Sequence, residues 1–146
     1  MTFLRHPLVW RGLRWLVGGI FLYAGILKIG NPQAFADSVA TFQLLPSFLI
    51  PSLALGLPLF EITCGLLMIL GWGRRPAALG ILVLAGVFAL ALLQALLRGL
   101  EVDCGCFGGG APSEGKTWLA LGRDVVLGGL AWVLYRAEFP RSVGEN

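Results

Sequence analysis

The chain has 146 residues, of which 57% are hydrophobic and only 13% are charged, and its mean hydropathy is +0.81. Because roughly one-quarter of the residues in an ordinary soluble domain are charged, this composition excludes that class and predicts a polytopic membrane protein. The net charge of +3 is explained by the distribution of basic residues among the loops and does not indicate nucleic-acid binding.

Four apolar stretches are long enough to cross a bilayer as helices, which takes roughly 20 residues each. They cover about 11–29, 48–72, 76–97 and 117–135. The first could instead be the apolar core of a signal peptide, but Lys28 and the segment after it offer no convincing small-residue cleavage site. The predicted fold class is therefore all-α, with residues 1–146 forming a single integral membrane four-helix bundle.

Nine glycines in these stretches are predicted to let neighbouring helices approach closely. They are Gly18, Gly19, Gly25, Gly65, Gly80, Gly86, Gly122, Gly128 and Gly129.

Most basic residues fall on one side of the four spans, which predicts that both termini are cytoplasmic. These residues are Arg5, Arg11, Arg14, Arg74, Arg75, Arg136 and Arg141. The two outer loops are then about 31–47 and 99–116. In a bacterial inner membrane both loops would face the periplasm, where oxidised thiols persist.

The sequence of the first outer loop predicts a short helix. Asn31 is a good N-cap and Pro32 suits the first helical position. Phe35, Val39 and Phe42 then recur at helical spacing and form an apolar stripe. The predicted helix either rests in the membrane interface as a connector or forms a lid or docking surface over the second outer loop.

The second outer loop carries two of the three cysteines, Cys104 and Cys106, separated by Gly105. Glycine allows the tight backbone of so small a disulfide ring, which would be strained and therefore reducible. Two thiolates could also bind a soft metal ion. The third cysteine, Cys64, lies in the second span, where packing is a commoner role than that of an internal relay thiol.

Four ionisable residues lie in the outer half of the spans or near their middle, where charges are costly: Lys28, Glu61, Arg123 and Asp124. Their formal charges sum to zero, so they are predicted to form one polar cluster beneath the cysteine loop. A structural interpretation makes them an ion network that fixes helix register, with Lys28 snorkelling to the surface. In a functional interpretation Arg123 favours the thiolate form of a cysteine, while Glu61 or Asp124 relays a proton.

Several motifs occur together in one order. They are Tyr23-Ala24-Gly25-Ile26-Leu27-Lys28, Asn31-Pro32, Phe35, Leu44-Leu45-Pro46, Glu61-Ile62-Thr63-Cys64-Gly65, Cys104-Gly105-Cys106-Phe107-Gly108 and Arg123-Asp124. Together they resemble the MauE branch of the DoxX-like membrane proteins, over roughly residues 21–130.

The resemblance implies a four-helix membrane protein linked to periplasmic thiol–disulfide chemistry. MauE is associated with maturation of the disulfide-rich small subunit of methylamine dehydrogenase, and relatives accompany thioredoxin-like proteins or quinone-linked sulfur oxidation. The family is similar in outline to the quinone reductases of the vitamin K epoxide reductase and DsbB kind. Those enzymes have a membrane-edge Cys-x-x-Cys and a second cysteine pair, whereas this sequence has a Cys-x-Cys and only Cys64 besides.

The leading functional hypothesis is an enzyme, a membrane thiol–disulfide oxidoreductase coupled to quinone. Cys104 and Cys106 would exchange electrons with a periplasmic thioredoxin-like or other disulfide-containing protein, assisted by Arg123, Asp124 and Glu61. Quinone is the expected cofactor, with contacts predicted from Tyr23, Lys28 and Phe107. Tyr23 would donate a hydrogen bond to a quinone carbonyl, although interfacial packing is the commoner use of such a residue.

Two other functions are compatible with the same cysteines. One is a carrier of copper or mercuric ions that passes the ion inward through Cys64 and Glu61. The other is a non-catalytic maturation or assembly factor whose cysteines only hold the loop closed. No resident metal is predicted, and the sequence has neither a glycine-rich nucleotide loop nor a haem-attachment Cys-x-x-Cys-His, so neither cofactor is expected.

Overall fold

The computed structural model describes residues 7–102 and 114–138, and within these ranges every regular element is a helix. The helices are α1 (Pro7–Gly30), α2 (Pro32–Thr41), α3 (Ile50–Leu70), α4 (Arg74–Leu97) and α5 (Glu114–Glu138). All except α2 are long and apolar enough to cross a membrane. The predicted all-α fold with four spans is therefore confirmed. Which terminus faces which compartment stays a prediction, and Arg5 and Arg141, used for it, lie outside the described residues.

The turns between helices follow from local sequence. Asn31 caps α2, because its Oδ1 accepts a hydrogen bond from the Ala34 amide at 3.2 Å, and Pro32 occupies the first turn, as predicted. α3 ends at Gly71, whose φ of +77° is a left-handed conformation that favours glycine. Gly73, with φ +55°, directly precedes α4. This short turn makes α3 and α4 antiparallel neighbours.

The four long helices form a ring in which α1 packs mainly on α3 and α4 packs mainly on α5. Contacts of α3 with α4 and of α1 with α5 close the ring, and α2 packs on α3 and α1. Inside the ring lies an apolar core that includes Val17, Met68, Ile81, Leu127 and Ala131. Since α3 and α4 are apolar on all sides, much of their surface is left to face lipid.

The α1–α3 contact depends on glycines. A Cβ atom added to Gly65 would lie 2.6 Å from the carbonyl oxygen of Gly18, and one added to Gly25 would lie 2.9 Å from that of Pro58. Such distances are too short for any larger residue unless the helices move apart. The backbones therefore touch, as in other membrane helix pairs that pack through small residues.

The prediction that neighbouring helices approach closely at nine glycines is correct for only some of them. Gly18, Gly25, Gly65 and Gly80 lie at close contacts, whereas Gly128 has ordinary spacing to Ala85. It is wrong for Gly19, Gly86, Gly122 and Gly129, where an added Cβ would meet no described atom of another element within 4 Å. Glycine content alone does not tell which side of a helix faces a neighbour.

The apolar stripe of α2 packs onto the protein. Phe35 and Phe42 are buried, and Val39 is partly buried. Phe42 belongs to a small apolar cluster with Leu92 and Ala95 of α4. The stripe is therefore not available to enter the lipid, while the position of α2 relative to the membrane surface stays a prediction.

We predict that Gly65→Ala destabilises the bundle and that Gly19→Ala does not. The added methyl group at position 65 collides with the Gly18 carbonyl, and overpacking of this kind costs about 1–3 kcal/mol. Thermal unfolding of the two variants in the same detergent measures the difference. Equal midpoints would contradict the close contact between α1 and α3.

Candidate functional site

A buried ion pair joins α1 to α3 at the end of the bundle where α2 packs. Lys28 Nζ lies 2.7 Å from Glu61 Oε1 and 2.8 Å from Oε2, so the ammonium donates to both carboxylate oxygens. The side chains are 0% and 2% exposed. Lys28 therefore does not snorkel to the surface, and that part of the structural interpretation is wrong. The Lys28 ammonium can remain buried because the Glu61 carboxylate that neutralises it is buried beside it.

Two aromatic rings complete the surroundings of Lys28. Its Nζ lies 4.7 Å from the ring centroid of Phe88 on α4 and 5.2 Å from that of Phe35 on α2. Both distances are within the range of a cation–π interaction, which is stronger when the cation is desolvated. Four helices thus meet at one ammonium group. Sequence reasoning missed Phe88, because a phenylalanine in an uncharged span carries no signal of its own.

The second charged pair lies within α5. Arg123 Nη2 and Nε donate to Asp124 Oδ1 at 2.7 and 2.9 Å. The Asp124 side chain is 6% exposed and that of Arg123 is 24% exposed. The other carboxylate oxygen, Asp124 Oδ2, is buried and accepts no hydrogen bond from the described part of the chain. One carboxylate oxygen is thus left with the capacity to bind a water molecule or a proton.

Both pairs line the same small cavity, so the prediction that the four charges gather in one place is confirmed. Lys28, Glu61, Arg123 and Asp124 surround it together with apolar residues of α1 and the ring of Phe88. Its volume of about 20 Å³ is enough for about one water molecule. We name these four residues the charge cluster.

Cys64 lies one helical turn from Glu61 but outside the cavity lining. It is a free cysteine, 4% exposed, in the apolar core. A Cβ atom on Gly80 would be 2.6 Å from its Sγ, so the thiol fills the space that the glycine leaves on α4. This geometry supports the packing role.

Three of the predicted site residues, Cys104, Cys106 and Phe107, lie outside the described residues. The structure does describe the two ends of the segment that carries them. Val102 is buried against the apolar cluster of Phe42, and its carbonyl oxygen accepts a hydrogen bond from Thr117 Oγ1 at 2.9 Å. Both ends of the cysteine loop are therefore attached to each other and to the bundle.

Tyr23 does not belong to the charge cluster. It is 55% exposed on α1 and is not among the residues that line the cavity. Its predicted contact with quinone is therefore not supported by proximity to the charge cluster, and a tyrosine on this surface is well placed for packing against lipid.

Comparison with known proteins identifies the family of this chain. The model of the family described as "Methylamine utilisation protein MauE" matches residues 6–136. The chain belongs to the MauE family. With its four candidate spans, it is a multi-pass membrane protein.

Two relatives carry the same name, "Methylamine utilization protein MauE". The protein of Paracoccus denitrificans is 34% identical over 148 aligned residues, which cover 99% of this chain and 79% of the relative. The protein of Paracoccus versutus is 33% identical over 129 residues, covering 88% and 69%. No solved structure is significantly similar to this MauE-family chain.

We predict that Lys28→Met destabilises the protein far more than the double variant Lys28→Met with Glu61→Leu. Removing one partner leaves an unpaired buried charge, at a cost of about 3–5 kcal/mol, whereas replacing both by apolar residues is often close to neutral. A double-mutant cycle from unfolding in detergent measures the coupling. Additive single effects would show that the two groups do not interact as a buried pair.

Proposed function

We propose that this MauE-family protein is a membrane thiol–disulfide oxidoreductase. Cys104 and Cys106 exchange electrons with a thioredoxin-like or other disulfide-containing protein outside a bacterial inner membrane. The relatives are named for methylamine utilisation, and we propose maturation of a protein in that process as the setting. The cysteine loop faces the periplasm in this proposal.

The observation that carries the proposal is the position of the charge cluster relative to the ends of the cysteine loop. Cys104 comes two residues after Val102, which is hydrogen-bonded to Thr117 in the first turn of α5. Asp124 lies seven residues further along α5, so it is about 10 Å from Thr117 along the helix axis. A buried group of two acids and two bases therefore lies below the attachment points of a loop with two thiols.

The proposed chemistry is an exchange of disulfides. A partner thiolate attacks one sulfur of the Cys104–Cys106 disulfide, the S–S bond breaks, and a mixed disulfide forms. The second partner thiolate resolves it, so the partner loses two electrons and Cys104 and Cys106 take up two electrons and two protons. The Cys104–Cys106 disulfide then re-forms as the two electrons and two protons pass to an acceptor, for which we propose membrane quinone, which becomes the quinol. Arg123 acts as a positioning residue that favours the thiolate, and the unpartnered oxygen of Asp124 can hold a proton.

A quinone does not fit the cavity of the charge cluster. The cavity holds about one water molecule, and a quinone ring with its two carbonyl oxygens is several times larger. The proposal therefore places a quinone acceptor outside this cavity, on the lipid side of the bundle.

The geometry gives less support to an inward path for a metal ion. Such a path would use Cys64, but the thiol is packed against Gly80 and lies outside the cavity that contains Glu61. The assembly-factor hypothesis shares the same fold, and it is separated from the redox proposal by experiment.

We predict that the Cys104–Cys106 pair cycles between dithiol and disulfide in the purified protein. Trapping with a mass-tagged maleimide after reduction should show two reactive thiols. These thiols should disappear when quinone is added, and their loss should be faster than in air alone. Cys106→Ser should abolish the cycle, because the remaining thiol has no partner in the loop. Cys64→Ser is the matched control and should cycle like the unmodified protein, since its thiol is buried in the core.

A pair that never changes redox state would overturn the oxidoreductase proposal. If metal is retained in stoichiometric amount without reductant, the carrier function takes its place. If Cys106→Ser lowers stability but no redox cycle exists to be lost, the assembly role takes its place.

We predict that Arg123→Gln moves the alkylation of the loop thiols to higher pH. Arg123 lies six residues after Thr117 and so about 9 Å from it along α5. As a general rule, a unit charge about 10 Å from a titrating group in a partly buried setting shifts the pKa of that group by about one unit. Arg123→Lys should restore most of the effect, because it keeps the charge. The pH profile of iodoacetamide labelling measures the shift, and an unchanged profile in Arg123→Gln would exclude a role of this cation in thiol reactivity.

A further inference from the structure

The charge cluster contains one polar atom that its two ion pairs leave unsatisfied. Asp124 Oδ1 accepts from Arg123 at 2.7 and 2.9 Å, whereas Oδ2 is buried and accepts no hydrogen bond from the described part of the chain. The Asp124 side chain is only 6% exposed. Buried polar atoms in folded proteins are nearly always hydrogen-bonded, so an unpartnered carboxylate oxygen inside a helix bundle points to a ligand in the space beside it.

The space beside Asp124 is small and has both polar and apolar walls. Its volume of about 20 Å³ accommodates one water molecule and nothing much larger. Lys28, Glu61 and Arg123 supply the rest of its polar lining, and side chains of α1, α4 and α5 supply the apolar part. A buried water molecule typically makes about three hydrogen bonds, so such a site must offer both donors and acceptors.

The Lys28–Glu61 pair keeps hydrogen-bonding capacity after its own bonds are made. The Lys28 ammonium has three N–H groups, and it donates to Glu61 Oε1 at 2.7 Å and to Oε2 at 2.8 Å. One N–H group remains as a donor, and each Glu61 oxygen keeps a lone pair as an acceptor. Together with Asp124 Oδ2, the cavity lining therefore offers the donor and the two acceptors that a buried water molecule requires.

The charge balance of the cluster selects a neutral ligand. The four side chains have formal charges that sum to zero. A metal cation would lie beside Lys28 and Arg123, and an anion would lie beside Glu61 and Asp124, where little solvent screens the repulsion. A proton held by Asp124 in the resting protein would leave Arg123 without its balancing charge, and its O–H group would still need an acceptor. A water molecule satisfies Oδ2 without changing the net charge.

We propose that the cavity binds one water molecule that bridges the two ion pairs. The water donates to Asp124 Oδ2 and to Glu61, and it accepts from Lys28. It connects α5 to the α1–α3 pair, so that the charge cluster is one hydrogen-bonded network. A bridging water is nearly as favourable in enthalpy as a direct hydrogen bond. The inference goes beyond the proposed function and does not depend on it, because no cysteine takes part.

The test is X-ray footprinting of the detergent-purified protein, read out by mass spectrometry. Radiolysis of a bound water produces hydroxyl radicals, which oxidise the side chain beside it. Phe21 is the reporter, because it lines the cavity and is only 5% exposed. We expect its ring to be hydroxylated, since the water that supplies the radicals lies inside the protein.

Met68 is the internal control. Its thioether is at least as reactive toward hydroxyl radicals as a phenylalanine ring, and it is 1% exposed in the apolar core, outside the described lining of the cavity. We expect Met68 to stay unlabelled at doses that label Phe21. If Phe21 is labelled no more than Met68, the cavity holds no water and the proposal is overturned.

Two alanine variants test whether the water lies in this cavity. Ala24 lines it, so Ala24→Val fills the space while all four charges remain, and it should abolish the labelling of Phe21. Ala54 is a buried alanine of α3 outside the described lining, and Ala54→Val should leave the labelling unchanged. Labelling that persists in Ala24→Val, or that is lost equally in both variants, would overturn the assignment. If Ala24→Val does not fold, Asp124→Leu serves instead, and it should abolish the labelling because it removes the acceptor.

Discussion

The structure depends on burying Lys28 together with Glu61. An ammonium and a carboxylate taken out of water each lose several kcal/mol of hydration, and the loss is offset only if they meet with good geometry and further polar contacts. Here the lysine donates to both carboxylate oxygens and lies against two aromatic rings. The partners come from different helices, so the pair forms only when α1 and α3 have the correct rotation and the correct axial position. This one interaction therefore restricts the register of α1 against α3.

The glycines of α1 and α3 act in the same direction. Gly18 and Gly65 bring the two backbones into contact, and Gly25 does so near Pro58, one turn from Glu61. In lipid there is little hydrophobic force between helices, so close packing and polar contacts must hold them together. The glycine contacts and the ion pair lie in the same helix interface. Both form at the same rotation of α1 relative to α3.

The two ends of the bundle use charge in different ways. At the end near α2, two acids and two bases lie in pairs around a cavity the size of a water molecule, below the attachment points of the cysteine loop. At the other end, arginines line an open cleft with tryptophans and aliphatic side chains. The paired charges suit chemistry inside the protein, where the cluster as a whole is neutral.

The sequence by itself determined the membrane class, the four spans, the start of α2 at Asn31 and Pro32, and the gathering of four charges. These features depend on local composition, on short-range hydrogen bonds, or on the high energy of isolated charge in lipid, and all of these can be read along the chain. Only the tertiary structure decided that Lys28 is buried against Glu61, that Phe88 completes its surroundings, and that Gly19 faces away from any described neighbour. The same holds for the arginine cleft. The physical reason is that α3 and α4 are apolar all round, so their sequences carry no stripe that fixes rotation. Rotation is chosen by contacts between residues far apart in the chain.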